Sequence, residues 1–505
     1  MKTRLILLAA ALAAGMHAAV SLGNPVGLIE DDSVQILLAR SLRHGAFALP
    51  DANGVPISDP LPGLALLLMA PAWLVEPNWH PLRAVSLLSL AVAVFFAWRL
   101  GRRLLPEPWP AIAAGLTALS PVLVRHAGLV LPDIPYLALT LIALDLGTSR
   151  GTPGVVLAGL AASLAALVRP HGAFLCLALA AGLPCSSPAA PEAPIARSGT
   201  AGRLFLKGKR ARGLIFLASL VPLILWLARN KLVAGVSTGY AVNWRMQAAL
   251  LGDLGAQLSH AIGLLSSFFG GGMAGITRPA WLGLAAGALV AASAAFGAAR
   301  LMQSRREEQP LVFSMAAYAI MLLALHLTWS PEDSRYAIPL TPLAWLFVCG
   351  AVQRSASNGR SPMLGQGLLM LLALSALWMD ARLVRAGLHR NRSYQPETME
   401  WLRRNTPPGA RIESLKYNTV MLLTGRMALP PPLHLSGPAE WAAASRAAGV
   451  ALLHVEDSFR PGGFVPPGAA DIGAAIGAWA RAAPGVRLAY RNASEGASVF
   501  ELKEP

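Results

Sequence analysis

The chain has 505 residues, of which 55% are hydrophobic and only 13% charged, where a soluble globular protein carries about 25% charged residues. That balance excludes an ordinary soluble enzyme and indicates a polytopic membrane protein. The 42 Lys and Arg against 26 acids give a formal charge of +16, which suggests a nucleic-acid partner until the charges are placed along the chain.

A membrane span needs about 20 largely apolar residues. The opening "MKTRLILLAAALAAGMHAAVSLG" has the basic start and apolar core of a signal peptide. The many apolar runs behind it favour a retained first helix. Spans are predicted over residues 4–22, 81–100, 109–127, 134–149, 154–168, 171–184, 213–229, 280–299, 311–328, 337–353 and 363–379, about eleven in all. The two short ones around "LVRPHGAF" also read as one broken element. Residues 61–75, interrupted by Pro71, are too short to cross and read as a juxtamembrane or re-entrant element. Residues 185–200 have the Pro, Ala and Ser content of a flexible linker.

Positive charge tests this count. With Lys2 and Arg4 inside, alternation puts Arg99, Arg102, Arg103, Arg150, the cluster over 197–212, Arg300, Arg305, Arg306, Arg354 and Arg360 on one side. That is the positive-inside pattern, so the excess charge is topology and no nucleic-acid partner is expected. The same alternation puts Glu30, Asp31, Asp32, Asp51, Asp59, Asp133, Glu332 and Asp333 outside, with everything after about residue 380. The fold class expected is therefore a polytopic α-helical membrane protein with outer juxtamembrane helices and a small C-terminal α/β domain outside the membrane. Residues 1–380 form the membrane domain, with a first outer loop over 23–80, and 381–505 form the α/β domain.

In that last domain "PETMEWLRRN" reads as a helix stopped before Pro407 and Pro408, with a short strand after it. "GVALLHVED" reads as a buried strand, "DIGAAIGAWARAA" as a helix, and "VRLAYRN" with "ASVFELK" as a hairpin. Cys176, Cys185 and Cys349 have no metal-ligand spacing. The sequon at Asn492 and the glycines 270–272 carry no functional reading.

The chemistry-bearing residues lie at the outer boundary. In "GNPVGLIEDDSVQILLARSLRHGAF", three acids lead into an amphipathic stripe of Val34, Leu37, Leu38 and Leu42. Asp32 stands at capping-box spacing from Gln35 and reads as the helix cap. One cap needs one carboxylate. Asp31 is the surplus acid nearest the helix start and the leading candidate base, with Asp32 and Glu30 as alternatives. Asp133 in "LVLPDIPY" sits between prolines, where it either closes a turn or serves the chemistry. Arg169 in "LVRPHGAF" lies close to hydrocarbon, which makes it a functional candidate. Arg335 and Tyr336 stand where an outer loop re-enters the membrane, as a site pair or an interfacial pair. His126, His171 and His326 lie at span ends, where a lone histidine is more often structural.

Taken in order, these pieces resemble the GT-C superfamily of membrane glycosyltransferases, which includes the protein O-mannosyltransferases and the lipid A aminoarabinose transferase. The residues that carry the resemblance are the outer "DD" pair followed by "LLARSLRHGAF", then "DPLPGLALLLMAP", "LPDIPYLAL", "DSRYAIPLTPLAWLF" and "WLRRNTPPGARI" with "LLTGR". Val34 and Gln35 stand where the family often has an aromatic residue, so the register among Glu30, Asp31 and Asp32 stays open.

The resemblance implies a multi-pass protein of a bacterial inner membrane that transfers a sugar with inversion. The donor is carried on a polyprenyl phosphate, and the acceptor is a hydroxyl of protein, lipid or glycan on the outer face. It implies Arg335, Arg169 and Tyr336 as contacts of the donor phosphate. Asp133 would face the first acidic motif as a sugar contact or, with Asp31, as a ligand of Mg²⁺ or Mn²⁺, although some members need no metal. A transporter or flippase of a polyprenyl-linked sugar is the competing class. It should carry mid-membrane charges and paired repeats, neither of which stands out here.

Overall fold

The computed structural model describes residues 2–27, 30–49, 57–149, 151–182, 209–237, 280–327, 334–357, 362–388, 395–432, 437–456 and 472–503. The expected linker over 185–200, glycines 270–272, Asp51, Cys185, Glu332 and Asp333 lie outside them. Packing divides the chain into two units. The first is Met1–Val20, Ser58–Leu64 and Arg83–Ala386, and the second is Ser21–Ile57, Ala65–Leu82 and Gly387–Pro505. Most of the loop over 23–80, grouped by sequence with the membrane domain, thus packs with the C-terminal residues.

The helices run in chain order as α1 (Lys2–Gly23), α2 (Glu30–Arg43), α3 (Gly63–Val75), α4 (Arg83–Leu104), α5 (Trp109–Ala118), α6 (Pro121–His126), α7 (Asp133–Gly147), α8 (Thr152–Val168) and α9 (Gly172–Gly182). They continue as α10 (Lys209–Ala218), α11 (Val221–Ala234), α12 (Ala280–Ser304), α13 (Gln309–Leu327), α14 (Thr341–Ser357) and α15 (Pro362–Leu388). A helix stands at each predicted span. Among the described residues, four helical stretches are long and apolar enough to cross a membrane: His80–Leu104, Arg210–Ala234, Arg306–His326 and Arg335–Ser355.

Proline explains where one predicted span breaks. The stretch over 109–127 divides into α5 and α6 just before Pro121, where Ser120 is extended (φ −71°, ψ 124°), because the residue ahead of a proline is pushed out of helical geometry. Ser120 at this break donates to the Leu116 carbonyl at 2.7 Å and accepts the Trp345 indole N–H at 2.9 Å. In the first unit α4 packs on α5 and α7, α7 on α8, α9 on α13, and α12 on α14. The last contact is made backbone to backbone, since a Cβ on Gly297 would lie 1.8 Å from the Phe347 carbonyl oxygen.

The residues after 394 form α16 (Pro396–Asn405), β1 (Arg411–Ser414), α17 (Tyr417–Thr424), β2 (Met427–Leu429), α18 (Pro438–Ala447), β3 (Val450–Glu456), α19 (Ile472–Ala482), β4 (Val486–Asn492) and β5 (Ala497–Leu502). The sheet order is β2-β1-β3-β5-β4. β1 pairs in parallel with β2 and β3, while β3–β5 and β4–β5 are antiparallel, the latter being the expected hairpin. Trp441, Leu453, Ile476 and Phe500 centre the core under α18 and α19. Glu413 is buried there and accepts the Trp441 indole N–H and the Ser445 hydroxyl, both at 2.6 Å. α17, β2 and α18 were not expected from the sequence.

Candidate active site

The predicted site residues fall in both units. Glu30, Asp31 and Asp32 belong to the second, and Asp133, Arg169, Arg335 and Tyr336 to the first.

α2 begins at Glu30, three residues ahead of Ser33, where a cap at Asp32 would have started it. Asp32 is therefore inside the first turn, and it turns back to the chain before the helix. Both its oxygens accept the Gly27 N–H at 3.1 Å, and Ser33 Oγ donates to one of them at 3.2 Å. Gly27 adopts φ 90°, and a Cβ there would press on Leu423 and Thr419 at 3.1 Å, so glycine is needed on both counts. Asp32 is 1% exposed. Burial pushes its carboxyl up to about 8, against the pull of the Gly27 amide and Ser33 and with added repulsion from Glu30 and Asp31.

Glu30 has a different task. Its carboxylate accepts the Asn418 N–H at 2.7 Å and the Thr419 N–H at 3.4 Å, and lies 3.1 Å from the Thr419 hydroxyl. Those amides lie in the first turn of α17, so Glu30 supplies that helix with its N-terminal anion. Burial raises the Glu30 carboxyl, while the Asn418 and Thr419 contacts lower it. Ser33 meets Thr419 hydroxyl to hydroxyl at 3.0 Å, which completes the joint between α2 and α17. Asp31, between these two, is the exposed member of the three.

The first-unit residues form a second neighbourhood. Asp133 is the first residue of α7, where the helix terminus favours an acid. Arg169 is the extended residue that ends α8 (φ −141°, ψ 132°), set there by Pro170. Arg169 Nη2 donates to both Asp133 oxygens, at 2.7 and 2.8 Å, and the two residues are 7% and 3% exposed. The sequence separates them by 36 positions and gave them different tasks; the structure joins them as a buried ion pair.

From this pair a run of rings leads to the other predicted arginine. His171 packs edge-on to Tyr136 (centroids 4.7 Å) and lies 6.3 Å from His326, whose ring is 5.3 Å from Tyr336. The Arg335 guanidinium carbon stands 5.6 Å from the Tyr336 ring centre. Tyr136 is held from behind by a 2.5 Å hydroxyl contact with Tyr318. Two histidines rated as structural thus lie between Arg169 and Arg335, supplied by the turn after α8 and the end of α13. Their separate sequence contexts gave no signal of this. Asp145 was also missed, within the apolar run of α7; it pairs with Arg99 at 2.5 Å and Arg103 at 3.3 Å, and Arg103 also binds Glu308 at 2.6 Å.

Among the described residues no group of three His, Cys, Asp or Glu side chains is placed to hold a metal ion. Asp133, expected with Asp31 as a cation ligand, already has the Arg169 guanidinium across both oxygens. A further positive ion there would have to share that carboxylate with a fixed cation, which disfavours it.

No protein-family model matches the sequence, and no curated protein matches it. Solved structures do match in fold. ArnT from Cupriavidus metallidurans bound to undecaprenyl phosphate aligns with a TM-score of 0.60 at 13% identity, over 99% of this chain and 98% of that one. The apo form of the same protein aligns at 0.58 and 12%, with the same coverage. The apo oligosaccharyltransferase of Archaeoglobus fulgidus aligns at 0.51 and 14%, over 89% of this chain and 69% of that one. The likeness expected from the sequence therefore holds at the level of the fold: the chain shares the architecture of these multi-pass structures over nearly its whole length.

Proposed function

We propose that this chain is an integral-membrane inverting glycosyltransferase of a bacterial inner membrane. It would move a sugar from a polyprenyl-phosphate-linked donor to a hydroxyl of a protein, lipid or glycan on the outer face. The observation that carries this reading is the division of tasks among three neighbouring acids. Glu30 caps α17, Asp32 is buried against Gly27, and Asp31 stands exposed at the start of α2. The fold supports the donor class, since similar structures hold undecaprenyl phosphate and, in the archaeal protein, a dolichol-phosphate. Fold alone does not assign chemistry, so the weight rests on the side chains.

In this reading Asp31 takes the proton of the acceptor hydroxyl as its oxygen bonds to the anomeric carbon. The bond from that carbon to the phosphate oxygen breaks on the opposite face, and the lipid phosphate leaves with the electron pair. Arg335, Arg169 and Tyr336 meet the charge that grows on it. Eleven spans, with the residues after 380 outside and helping to bind the acceptor, complete the proposal.

The test is reconstitution of the purified protein with polyprenyl-phosphate sugars extracted from its own host and a host envelope fraction as acceptor. Release of free polyprenyl phosphate is followed by mass spectrometry for the wild type and Asp31→Asn. Release that collapses in the variant supports the reading, and the consumed lipid names the sugar. Equal release in both moves the base to Asp32 or Glu30. Passage of intact donor across the bilayer without release would make the chain a flippase.

A further inference from the structure

The last turn of α2 carries two arginines that the transfer chemistry does not use. Arg40 and Arg43 reach across to the residues that follow α3. Arg40 Nη2 lies 2.9 Å from Glu76 Oε1, and Arg43 Nη1 only 3.8 Å from Glu76 Oε2. Each guanidinium also lies over an indole, Arg40 over Trp79 at 5.5 Å and Arg43 over Trp73 at 5.4 Å. Two guanidiniums against one carboxylate leave a single net positive charge, and all three groups line a surface pocket. His44, Met69, Ala72 and Trp73 complete its lining.

α3 itself has no charged residue in its 13 positions. It is about 20 Å long at 1.5 Å per residue, short of the roughly 30 Å of hydrocarbon a span must cross. Yet it exposes Leu66, Met69, Trp73 and Leu74, the last at 74%. An uncharged helix too short to cross, with an exposed indole beside a paired-arginine cluster, matches the chemistry of the layer where lipid headgroups meet acyl chains.

We infer that Arg40 and Arg43, with Trp73 beside them, form a binding site for the phosphate headgroup of an anionic membrane phospholipid, distinct from any site for the sugar donor. The single net charge fits a phosphodiester, which carries one negative charge. An arginine stacked on an indole keeps its N–H edge open to a pair of phosphate oxygens. The phosphate takes the place of Glu76 at Arg43, the longer and weaker of its two contacts, while the acyl chains lie along Met69, Trp73 and Leu74. The inference rests on the chain being a membrane protein and not on the transferase reading; its test reads lipid binding and never transfer.

The experiment is native mass spectrometry of the full-length protein in detergent, titrated with phosphatidylglycerol, with phosphatidylcholine, polyprenyl phosphate and inorganic phosphate as comparisons. Circular dichroism and melting check that each variant is folded. Wild type should hold phosphatidylglycerol at least tenfold more tightly than phosphatidylcholine. Arg43→Ala should lose that preference, Arg43→Lys should restore it only in part, and Glu76→Gln should strengthen binding by removing the competing carboxylate. Equal retention of the two lipids would overturn the inference, as would weakening by Glu76→Gln, which would make the cluster a strut between α2 and α3. Displacement of the phospholipid by inorganic phosphate, or a preference for polyprenyl phosphate, would also overturn it by assigning the cluster to another ligand.

Discussion

At Asp133 a buried carboxylate is matched by a guanidinium, with both oxygens held by Arg169 at 2.7 and 2.8 Å. At Asp32, buried as deeply, no cation pairs with the carboxyl among the described residues, and a backbone amide and a serine hydroxyl take its place. Two acids at apolar boundaries thus reach opposite outcomes. One neutralises its charge with a partner 36 residues away; the other gives the charge up by holding its proton. Asp31, beside the second and proposed above as the base, is exposed to water. The contrast teaches that the number of acids in a motif says little until each one's neutralising partner is known.

The strongest way to test that contrast is at Asp31. Asp31→Asn should lower the rate of donor consumption by about 10²–10⁴-fold, the range for a positioned general base, with the melting temperature unchanged. Comparable loss of rate in Asp32→Asn, with Asp31→Asn active, would reverse the assignment.

Next comes the ion pair. Arg169→Ala leaves Asp133 buried without its cation and should destabilise the protein by about 3–5 kcal/mol. Adding Asp133→Asn to it should recover most of that loss. Detergent-phase melting of the two single variants and the double variant checks this. If the single and double variants melt alike, the pair is not coupled.

The pH dependence follows in size. The Asp32 carboxyl sits at about 8 against an ordinary 3.8, so the folded state holds a proton that the unfolded chain has lost. Its stabilising contribution is complete below pH 3.8 and fades as the pH rises towards 8. The slope it adds is at most about 1.4 kcal/mol per pH unit. His454 acts in the other direction. Burial, then Lys416, lowers its imidazole to about 3 from 6.5, so its contribution is lost as the pH falls from 6.5 towards 3. Asp32→Asn should therefore make the decline between about pH 6.5 and 8 shallower and steepen the rise with pH between about 4 and 6.5. Denaturant melts from about pH 4 to 8 check this, and an unchanged slope above 6.5 would refute it.

Smaller effects remain. Glu30→Gln should cost about 0.3–1 kcal/mol, the worth of an anion at a helix N-terminus, seen as earlier amide exchange in α17. Chelation by EDTA should leave the transfer rate unchanged, because Arg169 already supplies the charge beside Asp133. Loss of rate restored by Mg²⁺ or Mn²⁺ would bring the cation back.

Much of the fold was legible because membrane helices announce themselves by length and apolarity, and the β4–β5 hairpin by alternation. α17 and α18 were not. "YNTVMLLT" is only eight residues long and its start is capped from the far end of the chain by Glu30. The α18 stretch "PAEWAAASRA" is ordinary in composition, and its Trp441 is fixed by Glu413 on β1. At the site, residue type pointed to Asp31, Asp32, Asp133 and Arg169, but their partners are tertiary facts. Gln35 drew Asp32 into a capping-box reading because a spacing of three is all that the sequence displays, whereas the helix starts at Glu30. Nothing along the chain couples His171 to His326, which meet only once α9 packs on α13.

The Glu30 contact also sets an order in time. Its partner amide on Asn418 lies 388 positions downstream, and at 5–20 residues per second a ribosome needs roughly 20–80 s to reach it. During that interval the acids at the start of α2 have been synthesised without the helix that holds them. A chain cut short between the first acidic motif and residue 417 keeps all three acids and none of their anchor. Completion of the chain is in this sense the step that fastens the start of α2, and truncated products lack that joint.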